Sequence, residues 1–374
     1  MKKRFGVWPY YSRECIRDVK RLLTEGGTLS KYRANKSHGL GPEEGSHAEK
    51  LEREIQRQFD VKHAVVCNSG TAALHMALSA LDLQGGEVIT SPYTFSATVA
   101  AILHAGGVPR FADVDRLTYC ITEQTVHPVF NKKTRAILPV HLFGYFQDLD
   151  GLSSFGVPVV EDACQAVGAS SNGRYAGTVG IAGAYSFNGG KNLPCGEGGA
   201  LVTNDSRIAE RARLLQNHGE NFDWQNVGFN YRMTEVEACI ARHGLRAVEA
   251  RNAERRRLVD ALSEAVRDLW HRRIYQPLWF NQEHAFYVYP IYIKQNREKF
   301  VSRCRKLGLD GWIGSGYVTP PLHYYPAFRK YATEQLPNVD QLSFKHLCLL
   351  SCVRPPATTA DMAWVGDILK RASR

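Results

Sequence analysis

The sequence predicts an α/β chain: a large, mostly parallel sheet covered on both faces by helices, followed by a smaller α+β region. Three observations carry this. Between residue 63 and about 205, seven short apolar, β-branched runs alternate with helical stretches, the pattern of a parallel sheet buried on two sides. From Thr234 to Leu269 a long segment rich in Ala, Arg and Glu then leads away from the sheet. Finally, 374 residues suit two compact units with a large buried interior. We place the division at 1–240, the larger unit with the N-terminal segment, and 241–374.

In order, the expected strands are His63 to Asn68, Glu87 to Ser91, Val108 to Asp113, Ala136 to Val140, Val157 to Asp162, Gly183 to Phe187 and Gly199 to Thr203. Ser69-Gly70-Thr71 opens a helix between the first two, with apolar residues at helical spacing behind it. Beyond the long helix, Phe286 to Ile293 and Gly311 to Tyr317 read as strands among helices. The stretch Gly26 to Gly45, rich in Gly, Ser, Lys and Asn, reads as an irregular loop.

Composition narrows the class. Hydrophobic residues at 44% and charged residues at 22% are ordinary for a globular protein. No apolar run approaches the roughly 18 to 20 residues of a spanning helix, and the opening MKKRFGVWPYYSRE lacks the apolar stretch of a leader. A cytoplasmic protein with no membrane role is the expectation. The nine cysteines include no CxxC pair, which points to reduced thiols, with neither a disulfide frame nor a metal site. The net charge of +10 raises the question of nucleic acid. Its densest stretch, Arg251 to Arg257, lies in a helical pattern broken by Glu254, so we read it as a solvated helix face and expect no nucleic-acid partner.

Three clusters carry chemistry. Asn68-Ser-Gly-Thr-Ala-Ala-Leu74 stands where a strand ends and a helix begins; free amides and the helix dipole make an anion site there, though a plain N-cap looks the same. Val159-Val-Glu-Asp-Ala-Cys-Gln165 ends an apolar run in acids at the strand's C-terminal end, the edge where such folds bind ligands. Asp162 there can hold a pyridine nitrogen protonated, or it can cap a following helix. In Ser186-Phe-Asn-Gly-Gly-Lys-Asn-Leu-Pro-Cys-Gly-Glu-Gly-Gly199, Lys191 follows two glycines between two strands. The Walker pattern is missing, because Asn192 follows the lysine and no glycine stands five residues before Gly190, so NTP hydrolysis is disfavoured.

Together with SPYTFSAT at 91–98, FADVD at 111–115, PVHLFG at 139–144 and GFNYRMTE at 228–235, these clusters resemble the DegT/DnrJ/EryC1/StrS family of sugar and aminocyclitol aminotransferases. The resemblance runs over nearly the whole chain. It implies the fold type I architecture of pyridoxal-phosphate (PLP) enzymes, like aspartate aminotransferase, with PLP held as a Schiff base on Lys191. By the same resemblance Lys191 then serves as base and acid. Asp162 pairs with the pyridine nitrogen, Gln165 lies near the phenolic oxygen, and Phe95 stacks on the cofactor plane. Gly70, Thr71 and Ser186 hold the phosphate. Asn230 reaches the phosphate of a neighbouring subunit, which implies a homodimer with shared sites. His323 matches a position near the substrate mouth.

The substrate is where the chain departs from many nucleotide-sugar members. Gly189-Gly190 stands before Lys191 where those carry an ATK-like stretch. The glycine, the Trp8-Pro9 opening and Thr118-Tyr-Cys-Ile121 resemble the branch of scyllo-inosose aminotransferases and 3-amino-5-hydroxybenzoate synthase. The expected acceptor is a cyclic polyhydroxylated ketone without a nucleotide, the donor glutamine or glutamate. A nucleotide-linked keto sugar is the alternative, and a non-catalytic regulator or scaffold is the competing class. The residues around Lys31 to Gly45 do not match that branch. Relatives that dehydrate sugars carry histidine at the lysine position; retention of Lys191 favours transamination.

Overall fold

A computed structural model describes residues 5–35, 39–219, 227–269, 274–275, 282–294 and 296–374. Seven strands lie side by side: β1 (His63–Cys67), β2 (Glu87–Thr90), β3 (Val108–Phe111), β4 (Thr134–Ile137), β5 (Val160–Asp162), β6 (Ala182–Ser186) and β7 (Gly199–Thr203). Four pair in the order β1-β7-β6-β5 and three in the order β3-β2-β4. Parallel bridges Ile137–Val159 and Val140–Asp162 join β4 to β5, so the two groups form one sheet.

Six strands run parallel and β7 runs antiparallel to both neighbours, β1 and β6. The reason is the link between β6 and β7. A parallel return needs a crossover, usually a helix, whereas 187–198 doubles back on itself. Phe187 N donates to Gly198 O and Gly189 N to Gly196 O, both at 2.8 Å. That folded loop carries Lys191 at its turn.

Helices α1 (Arg13–Glu25) and α2 (His47–Phe59) precede the sheet, and α3 (Gly70–Ser79) and α4 (Ser96–His104) cover it. Ser69 caps α3 by accepting from Ala72 N at 3.1 Å, a cap that contributes about 1 kcal/mol. The long helix α5 (Glu235–Ala265) opens with a capping box in which Thr234 and Glu237 bond each other's backbone amides. Its first half packs through Ala238, Ala241, Leu245 and Val248 into the core beside β1, β6 and β7. Further along, Leu258, Val259 and Leu262 enter a second core. That core is closed by α6 (Thr359–Ala372) and by a small antiparallel sheet of β8 (Tyr289–Ile293), β9 (Ile313–Gly314) and β10 (Leu347–Leu350).

Four expectations are corrected. The segment 26–45 is not wholly irregular: Tyr32–Asn35 pairs antiparallel with Gly39–Pro42. Strand β8 starts at Tyr289 rather than Phe286, because the preceding residues pair elsewhere: Ala285 N donates to Gly144 O and Tyr287 N to Phe143 O, each at 2.9 Å. Gly311 to Tyr317 yields only the two residues of β9, then a 3-10 turn over Gly316–Val318. The arginine-rich face of α5 also turns partly inward. Arg255 is buried, with its guanidinium 5.1 Å from the Trp8 ring centre and Nη1 donating to Phe286 O at 2.8 Å. A planar guanidinium can be buried this way where an aromatic face and carbonyls receive it. Burial and the neighbouring Arg354 bring its pKa down to about 9.

Candidate active site

The C-terminal ends of the six parallel strands share one edge of the sheet, the place where open α/β sheets bind ligands. A cavity of about 430 Å³ opens there. It is lined by Gly70, Thr71, Phe95, Asp162, Gln165, Ser186 and Lys191, seven residues singled out from the sequence. They come from four separate strand ends and one loop.

One end of the cavity is built for an anion. The first amides of α3 have no carbonyl partner within the helix, and the helix dipole adds positive potential. Gly70 is required by contact rather than by torsion. A Cβ there would meet Cys164 Sγ at 2.6 Å and the Ser186 Cβ at 2.8 Å. The helix terminus therefore sits against the ends of β5 and β6, with the Ser186 hydroxyl beside it.

Asp162 ends β5 and is 5% exposed. Its backbone is tied to the β4 side by Asp162 N to Pro139 O at 2.9 Å and His141 N to Asp162 O at 3.0 Å. Its carboxylate accepts from Thr98 Oγ1 at 2.7 Å and from Cys164 N at 3.2 Å. No helix begins at 163, so a capping role for Asp162 does not arise. The adjacent Glu161 faces the opposite way, wholly buried, and accepts from His141 Nε2, Gly177 N and Val179 N at 2.7 Å and Gly180 N at 2.6 Å. Since His141 Nδ1 accepts from Gln147 N at 3.0 Å, the proton of that ring is on Nε2. Burial and the Asp162 carboxylate push the Cys164 thiol well above its ordinary pKa.

Gln165 accepts at Oε1 from Phe143 N at 2.9 Å and from the Tyr317 hydroxyl at 2.7 Å. Its oxygen is thus committed, and its amino group is the end that can donate. Phe95, 55% exposed, offers its ring to the cavity edge-on to Tyr317 at 6.1 Å. Lys191 Nζ lies 4.3 Å from the centre of the Tyr287 ring.

Two of the residues anticipated from the sequence stand apart from this cavity. Asn230 is exposed; its carbonyl accepts from Asn68 Nδ2 at 3.1 Å and it bridges Asn217. His323 pairs with Asp340 at 3.2 Å and does not line the cavity. Conversely, Thr94, Thr98, Tyr287 and Tyr317 line it without having been singled out. Thr94 and Thr98 lay within the quoted SPYTFSAT stretch. The two tyrosines follow α5, and no local pattern marks them.

An anion cradle, a buried carboxylate at the far wall, an exposed aromatic ring and a lysine on a tight loop fit one group: PLP. With the sheet topology, they define a PLP-dependent transferase of fold type I, an aminotransferase. The chain belongs to the DegT/DnrJ/EryC1/StrS aminotransferase family, whose model matches residues 30–370. A pleiotropic regulatory protein of Geobacillus stearothermophilus is 34% identical over 320 residues, 82% of this chain and 84% of its own. A UDP-N-acetyl-3-dehydro-alpha-D-glucosamine 3-aminotransferase of Acidithiobacillus ferrooxidans is 34% identical over 338 residues, 87% and 89% of the two chains. The solved aminotransferase from Psychrobacter cryohalolentis superposes with a TM-score of 0.87 over 98% of both chains, at 27% identity. Among the described residues no helix is long and apolar enough to cross a membrane, and no cluster of side chains could hold a metal ion.

Proposed function

We propose that this aminotransferase moves an amino group from glutamine or glutamate onto a cyclic polyhydroxylated ketone. The observation that carries the reading is the convergence of Lys191, Asp162 and the Gly70–Ser186 cradle on one cavity. When bound there, PLP would supply an electron sink. The protein's part is placement and proton transfer. Lys191 would hold the cofactor and, once displaced by substrate, would serve as the base and acid of the transfer. Asp162 would pair with the pyridine nitrogen and Gln165 would donate to the phenolic oxygen. Phe95 would cover one face of the ring, while Gly70, Thr71 and Ser186 would hold the phosphate.

Transfer to a ketone needs a hydrogen-bonding pocket around hydroxyl groups, and the cavity has polar walls in Asn188, Glu197, Tyr287 and Tyr317 beside Lys191. The glycine before Lys191 and the Trp8-Pro9 opening favour a free ketocyclitol. The name of the Acidithiobacillus relative favours the second reading, a nucleotide-linked keto sugar. A screen with scyllo-inosose, 2-deoxy-scyllo-inosose and nucleotide-linked 3- and 4-keto sugars, read by consumption of glutamine or glutamate, separates them. Turnover of nucleotide-linked ketones alone would overturn the leading assignment.

The working unit in this reading is a homodimer, with Asn230 of each subunit reaching the other's phosphate site. Its exposure supports this, as does that of the neighbouring Val227 and Phe229, at 83% and 40%. Mixed dimers of Lys191→Ala and Asn230→Ala chains should recover part of the activity each lacks alone.

A further inference from the structure

Thr98 sits in the first turn of α4, 1% exposed, with its hydroxyl 2.7 Å from Asp162 Oδ2. Thr94, equally buried, places its own hydroxyl 3.0 Å from Thr98 Oγ1. A threonine in a helix ordinarily turns its hydroxyl back to a carbonyl three or four residues earlier. Here the bond is made instead across to the end of another strand. Thr98 donates its single hydroxyl proton to Asp162 Oδ2. Thr94 must then donate to Thr98. The direction of the chain Thr94 to Thr98 to Asp162 follows from that one proton.

We propose that Thr98 is a positioning residue for catalysis: with Thr94 behind it, it holds the Asp162 carboxylate aimed at the place the pyridine nitrogen of the cofactor would take. The inference rests on the reading of Asp162 as that nitrogen's partner. Two bonds restrain the carboxylate. Cys164 N holds Oδ1 from its own strand end, at the longer distance of 3.2 Å, and Thr98 holds Oδ2 from α4. Without Thr98 one oxygen of a 95% buried carboxylate loses its donor. The carboxylate would then be free to turn away from the pyridine nitrogen, and the electron sink that PLP would supply would weaken. No atom is exchanged with Thr98, so it acts only through Asp162.

The test compares Thr98→Val, Thr98→Ser and Thr94→Val in the full-length protein, with Asp162→Asn as the reference. Three readouts are taken: PLP affinity by titration, the pH midpoint of the visible absorption band, and kcat against donor KM. A charge-assisted hydrogen bond of typical strength corresponds to about tenfold to a hundredfold. Thr98→Val is expected to weaken PLP binding at least about tenfold, displace the midpoint and lower kcat, with KM for the donor within about twofold. Thr98→Ser should restore all three, and Thr94→Val should fall between. If Thr98→Val does not fold, the Thr94→Val and Thr98→Ser proteins carry the test. Wild-type binding and titration in Thr98→Val, or equal impairment in Thr98→Ser, would overturn the inference. Wild-type behaviour of Asp162→Asn would instead remove the reading beneath it.

Discussion

The Nζ of Lys191 lies over the face of Tyr287, 4.3 Å from its ring centre. The ring is held by more than this contact. Tyr287 N donates to Phe143 O at 2.9 Å, and the buried Arg255 donates to Tyr287 O at 3.3 Å. A positioned aromatic face attracts an ammonium group by about 0.5 to 2 kcal/mol. The face, rather than the hydroxyl, is what the lysine uses. Tyr287→Phe should therefore keep kcat within about twofold, while Tyr287→Leu should lower it about tenfold. Steady-state rates of the two variants across pH 6 to 9 check this; equal losses would assign the effect to the hydroxyl.

Gly70 is fixed by its neighbours. A methyl group there would press on Cys164 Sγ and the Ser186 Cβ, an overpacking that costs about 1 to 3 kcal/mol. In the proposed reading, the displaced helix terminus would also withdraw its amides from the cofactor phosphate. Gly70→Ala should lower the melting temperature of the apo protein by a few degrees and weaken PLP binding more than tenfold. Calorimetry and equilibrium dialysis measure the two effects separately.

Glu161 is an acceptor for four donors and a donor to none. Glu161→Gln puts an amino group where two of those N–H groups point. Leaving buried donors unmatched costs about 2 to 4 kcal/mol, so the unfolding free energy from urea titration should fall by that amount. His141→Gln, which leaves the three backbone donors in place, should cost less.

His284 predicts the acid limit of stability. Burial first and Arg256 second hold its pKa well below the ordinary histidine value, and Nδ1 accepts from Phe286 N at 2.8 Å. The folded chain therefore keeps this ring neutral while the unfolded chain protonates it below about pH 6.5. As pH falls beneath that value the unfolded state binds more protons, and stability declines by up to about 1.4 kcal/mol per pH unit for this group. Unfolding free energies at pH 7.5, 6.5 and 5.5 should show that slope, reduced in His284→Asn.

Much of the site was legible because its residues lie in short motifs at strand ends. Asn68 to Leu74, Val159 to Gln165 and the Lys191 loop each combine a local structural signal with a chemical one, and the structure brings all three to one cavity. The direction of β7 was not legible, since it depends on 187–198 folding back through its own backbone bonds. Tyr287 and Tyr317 escaped notice for a different reason. They arrive from beyond α5, and Tyr287 is placed by its bond to Phe143, beside the Ala285 bond to Gly144, rather than by the strand its apolar run suggested. The inward turn of Arg255 needed Trp8, 247 residues away in the chain, to be understood.

In the proposed function Lys191 carries the cofactor covalently. Borohydride reduction of the PLP-loaded protein, followed by peptide mass spectrometry, is the test. A phosphopyridoxyl group on Lys191, and none in the Lys191→Ala protein, is the expected result. A label on another lysine, or no label on a protein that still transfers amino groups, would contradict it.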